Sequence, residues 1–197
     1  MTIRTWLIGV LAIAISTSAA HSGVQVITFD ELPKGTTVDG MVIGNVTFGF
    51  SSADATITLI GPGDIFFIDP PNIEGDAFGT LTLEFATPIL ELSYGFVLST
   101  FEPSAAGSTM EVFDPDGFSL GIFSEPAADF GFKFVEGLNS AGGVGPIGSA
   151  VVTFDTTFAL RFAFDNLTML KVPGPGGLAM LGVAGLMGTR RRRKRAA

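Results

Sequence analysis

The chain has 197 residues, a formal net charge of −8, no cysteine and a single histidine, His21. That composition excludes disulfides, zinc thiolates and thiol nucleophiles, and it leaves only one imidazole, close to the N-terminus, for a Ser-His-Asp arrangement. Between His21 and Thr189 only Lys34, Lys133, Arg161 and Lys171 oppose nineteen acidic residues, a net charge of −15 that argues against nucleic acid as a partner.

Arg4 followed by the apolar run Trp6–Ile15 and the small residues Ser18-Ala19-Ala20 reads as a secretory signal peptide over 1–20, with cleavage before His21. An exported domain without disulfides depends on its core, and some 150 residues with nineteen Phe suffice to build one.

The middle of the chain alternates at period 2. Val24 to Asp30, Val42 to Phe50 and Thr56 to Ile60 read as short strands. Leu81, Leu83 and Phe85 share a face, and Leu90, Leu92, Tyr94, Phe96 and Leu98 do the same over a longer run, which makes Tyr94 a core residue. Met110–Phe113 and Phe118–Phe123 flank Asp114-Pro115-Asp116-Gly117, a hairpin turn in which Pro115 presets φ and Gly117 takes the left-handed position. Phe132 and Phe134 flank Lys133, Val152 and Phe154 extend the pattern, and Phe158, Leu160, Phe162 and Phe164 form the last apolar face. Gly61–Asp76 and Leu138–Gly148 read as the longest loops. The expected fold is all-β, an antiparallel two-sheet, jelly-roll-like β-sandwich over residues 23–170, with Phe29, Phe85, Leu92, Phe96, Phe162 and Phe164 buried.

Residues 171–197 have a different composition. Pro173-Gly174-Pro175 interrupts any regular element, Gly176–Gly188 is uncharged and mostly apolar, and Arg190-Arg191-Arg192-Arg193-Lys194-Arg195 is a run of cations. An apolar segment followed by cations reads as a short transmembrane helix with a stop-transfer signal. The order of these parts resembles the PEP-CTERM sorting signal, with Gly174 where that family usually has Glu. The resemblance implies export, membrane retention through the C-terminal helix, processing by an exosortase-type transpeptidase, and a cell-surface or extracellular destination linked to exopolysaccharide. An ordinary single-pass tail anchor is the alternative.

Three functions fit this chain. The first is a non-catalytic surface or matrix protein. The second is a carbohydrate-binding module, for which Phe66-Phe67 is either an exposed apolar patch or a plug for one sheet end. The third is a glycan-active enzyme using paired carboxylates. The cofactor expectation is structural calcium. Phe29-Asp30-Glu31 and Phe164-Asp165-Asn166 open and close the domain, so adjacent first and last strands would bring Asp30, Glu31, Asp165 and Asn166 together as oxygen ligands. Asp69, Asn72, Glu74 and Asp76 in one loop and Asp114 and Asp116 in another are weaker candidates, the latter two serving equally as turn residues. Asn45 and Asn166 begin Asn-x-Thr triplets.

Overall fold

The alternating stretches become antiparallel strands, and no helix occurs among the described residues. The computed structural model describes residues 23–172, except 53, 59–64 and 132–133. The signal peptide over 1–20, the Pro173-Gly174-Pro175 motif, the apolar segment and the Arg190–Arg195 run lie outside the described residues.

Ten strands are described: β1 (Val24–Ile27), β2 (Val42–Ile43), β3 (Val46–Phe50), β4 (Thr56–Thr58), β5 (Asn72–Asp76), β6 (Leu81–Leu98), β7 (Ser104–Phe113), β8 (Ser119–Ala127), β9 (Val135–Phe154) and β10 (Arg161–Lys171). They pair in the order β4-β5-β10-β6-β9-β7-β8, with β1 beside β10 and the β2–β3 ribbon beside β6.

Two long strands organise the sheet. The first part of β6, Leu81–Glu84, lies between β3 and the end of β9, whereas its later part, from Ile89, lies between β10 and the start of β9. Both strands change register at the same level. In β6 the break contains Pro88, which has no ladder donor to offer, and in β9 it contains Gly143 and Gly145 at positive φ, followed by Pro146. Rings on unpaired strands then meet across the interior: Phe50 of β3 and Phe162 of β10 have centroids 5.6 Å apart, and Phe154 of β9 stacks on Phe162 at 4.1 Å. The pattern is consistent with a β-sandwich, and one apolar cluster draws on both parts of the sheet.

All six expected core residues, Phe29, Phe85, Leu92, Phe96, Phe162 and Phe164, are buried. Tyr94 is also core; its hydroxyl lies 2.7 Å from Ser108 Oγ, and burial pushes its pKa up. Four local expectations need correction. Val24 and Val26, which open the alternation, face outward, and the buried set on the opposite face is Ile27 and Phe29. Ile89 replaces Leu90 in the core, because the register shift between Ile89 and Glu91 skips Leu90 and moves the alternation by one residue. Leu138–Gly148 is strand rather than loop, its glycines serving the bend of β9. Phe158 and Leu160 precede β10 and are exposed.

Candidate functional site

On one stretch of the sheet the expected in-out alternation disappears. Gly95 and Val97 of β6, Glu136 of β9, and Ala163 and Asp165 of β10 belong to the outer face, and all are buried. The segment Ile65–Asp69 lies over them. Ile68 packs on Val97 and Ala163, with Ile65 and Phe134 beside it. Gly95 has no side chain for a spatial reason: a Cβ there would coincide with the Phe67 carbonyl.

Two buried carboxylates fasten this segment. Glu136 accepts the amides of Phe66 at 3.2 Å and Phe67 at 2.8 Å, and Asp165 accepts the amide of Asp69 at 3.0 Å. Asn166 adds a fourth bond, donating from Nδ2 to the Phe67 carbonyl at 3.1 Å. Asn166 is held at φ 54°, at a register shift of β10 where β5 has ended and β1 has not yet begun. Burial pushes the Asp165 carboxyl up to about 7; the Asp69 and Asn166 amides oppose this, and the charges of Asp30 and Asp69 add to it. Asp165 Oδ1 has no hydrogen-bond partner.

Fastened in this way, the segment displays aromatic rings. Phe66 stacks on Phe130 at 5.7 Å, and Phe67 meets both edge-on. Phe66 is 68% exposed and Phe130 50% exposed. Phe101, 70% exposed, stacks on Phe134 at 6.1 Å. Beside Phe134 a pocket of about 190 Å³ opens on the same face, floored by Val97 and Ala163, with Glu74, Ser99 and Arg161 as its polar lining. Arg161 donates from Nη1 to Asp54 at 3.2 Å, and its backbone amide bonds the Ser99 hydroxyl at 3.0 Å. Partial burial raises the Glu74 pKa, and the Arg161 charge lowers it. The volume is below the ~300–1,000 Å³ of drug-sized sites, so it suits one ring rather than a long ligand.

The residues singled out in the sequence are distributed as follows. β1 pairs with β10, Ile27 opposite Leu167, which brings Asp30 within electrostatic reach of Asp165. Asp30 and Glu31 are exposed, and Asp30 accepts from Thr28 Oγ1 at 2.6 Å. Among the described residues no group of three or more acidic side chains is placed to hold a metal ion. Asp114 is a turn residue, its Oδ1 accepting the amides of Asp116 at 2.9 Å and Phe118 at 2.8 Å. Asp69, Asn72, Glu74 and Asp76 do not form one loop: Asn72–Asp76 is β5, and only Glu74 lines the pocket. Phe66-Phe67 is part of the site, whereas Glu136, Phe101, Phe134 and Arg161 carried no sequence signal beyond residue type.

No protein-family model matches the chain, and no curated protein does. Among solved structures, a family 29 carbohydrate-binding module aligns with TM-score 0.41 at 10% identity, over 75% of this chain and 87% of that one. The CBM22-1 xylan-binding domain of Paenibacillus barcinonensis Xyn10C aligns with TM-score 0.44 at 16% identity, over 79% and 99%. The K2 cleaved adhesin domain of Lys-gingipain aligns with TM-score 0.48 at 9% identity, over 77% and 100%. At such TM-scores the likeness carries no argument about function.

Proposed function

We propose that residues 23–170 form a jelly-roll-like, two-sheet β-sandwich that binds carbohydrate without altering it. The observation that carries this reading is the pocket walled by Phe134, which is braced by the exposed Phe101 and lined by Glu74, Ser99 and Arg161. A sugar ring has an apolar C–H face and a rim of hydroxyls. Rings flanking a small polar pocket complement both. The site therefore favours the second expectation, a carbohydrate-binding module, over the first, a non-catalytic surface or matrix protein. Among the described lining residues Glu74 is the one carboxylate, whereas glycoside hydrolysis works with two.

Export through the signal peptide, membrane retention by the C-terminal segment and handling by an exosortase-type transpeptidase complete the proposal, as the PEP-CTERM-like tail implies. Fusing residues 172–197 to an exported reporter should retain it in the membrane fraction, and replacing the six cations by Ser should weaken that retention. Glycan-array binding by the full-length protein tests the carbohydrate reading, and its loss on Phe134→Ala with Phe101→Ala locates the site. An array without a hit would refute it. Structural calcium at the Asp30–Asp165 edge is a separate proposal. It requires the melting temperature to rise with millimolar calcium, and an unchanged melting temperature removes it.

A further inference from the structure

We infer that the pocket beside Phe134 takes a neutral sugar and rejects polysaccharides bearing carboxylate, sulfate or phosphate, an inference that rests on the carbohydrate reading. Charge sets the discrimination. Among the described residues Arg161 is the single cation lining the pocket, and Asp54 already holds its guanidinium at 3.2 Å; Lys171 lies at the opposite end of β10. Acidic residues occur on every element that builds this face: Glu74 and Asp76 on β5, Glu84 and Glu91 on β6, Asp165 on β10, Glu136 on β9, Asp69 in the covering segment, and Glu102 and Asp129 beside Phe101 and Phe130. Lys133 adjoins Phe134 in sequence and lies outside the described residues; counting it as a cation still leaves a large acidic excess.

An anionic ligand would find no free cation among the described residues that line the pocket and would set its charge beside Glu74 in a partly desolvated cleft. Like-charge juxtaposition of this kind is how binding sites reject the wrong partner. A neutral ring escapes that repulsion. Its hydroxyls can donate to the Glu74 carboxylate and accept from Arg161, two groups that line the same pocket. Ring stacking is indifferent to charge, so Phe134 and Phe101 supply affinity while the carboxylates supply discrimination.

The experiment measures binding of the full-length protein to two sets of ligands at low ionic strength. Glucan, mannan, galactan and xylan oligosaccharides form the neutral set; C6-oxidised glucan and polygalacturonate form the anionic set. At least one neutral ligand should bind, with the anionic set about tenfold weaker or worse, and Glu74→Gln should narrow that gap by strengthening the anionic set. Salt should narrow it as well. Anionic ligands binding as tightly as neutral ones would overturn the inference and leave the carbohydrate reading standing. Binding by neither set would overturn both. Neutral binding that survives Phe134→Ala with Phe101→Ala, in a variant that still melts cooperatively, would place the sugar elsewhere and remove this pocket from the argument.

Discussion

The β7–β8 hairpin and the covered face of β6, β9 and β10 are held together by the same kind of bond, a carboxylate accepting backbone amides. In the hairpin Asp114 bonds residues two and four positions away, at the surface. On the covered face Glu136 and Asp165 bond residues 69 to 96 positions away, in the interior. The first arrangement costs little, since water still reaches the carboxylate. The second must recover the desolvation of two charges with no cation bonded to either among the described residues. The difference makes the hairpin a local feature of the sequence and the covered face a property of the completed fold.

The largest expected effect comes from the floor that the covered face shares with the interior. Phe162→Ala should cost about 3–5 kcal/mol in chemical denaturation, since the ring is buried against Phe50 and Phe154. A cost under about 1 kcal/mol would mean that the two parts of the sheet do not press on that ring.

Next in size is a pH effect that the hairpin should not show. Burial holds the Asp165 pKa at about 7 in the folded chain, against the ordinary carboxylate value of 3.8. Between those values the folded chain keeps a proton that the unfolded chain releases. Stability therefore falls as pH rises through roughly 4 to 7 and stays lower above that window. Asp165→Asn should remove this decline and leave the protein about 1–3 kcal/mol more stable than the parent at pH 8. Equal slopes in the two proteins would show that Asp165 is not buried as described.

Glu136→Gln replaces a charged acceptor of two amides by a neutral one and should cost about 1–2 kcal/mol. Hydrogen exchange should accelerate at Phe66 and Phe67 while the β7–β8 amides keep their protection. Faster exchange in both places would mean that the segment does not open independently. The smallest effect belongs to the turn. Asp114→Ala should cost about 0.5–1.5 kcal/mol, because it removes a solvent-exposed acceptor of two amides.

What was legible in the sequence follows the same division. The hairpin could be read because Asp114, Pro115 and Gly117 act on their own neighbours, and Gly117 has φ 86°. The core positions Phe96, Phe162 and Phe164 could be read because each strand presents one face inward. The adjacency of first and last strands was an expectation of the jelly-roll-like architecture, and β1 does pair with β10. Beyond Phe66-Phe67, the site was legible only in Glu74, Asp165 and Asn166, which read as cation ligands in the sequence rather than as pocket lining and fastening. Ala163, Val97 and Glu136 alternate with core residues as solvent-facing positions would, and nothing local shows that Ile65–Asp69 will cover them. The glycines of Leu138–Gly148 misled for the opposite reason, since their composition suits a loop while their role is to bend a strand already paired at both ends.

β10 has one further consequence. It is bonded to β6 along one side and to β5 and then β1 along the other. Its Arg161 end lines the pocket, and its Lys171 end leads to the tail some 11 residues on, a span of about 35 Å. A ligand gripped at one end and a tether at the other would pull along the strand, loading the transverse ladder bonds all at once in shear. A pull between Gly23 and Val172 meets only Lys171 N–H to Gly23 carbonyl, at 3.3 Å, and then unzips β1 bond by bond. Single-molecule stretching between residues 101 and 172 should therefore need a distinctly higher force than stretching between 23 and 172. The strand pairing should make the domain resist force best along the axis on which a tethered, ligand-holding protein would be pulled.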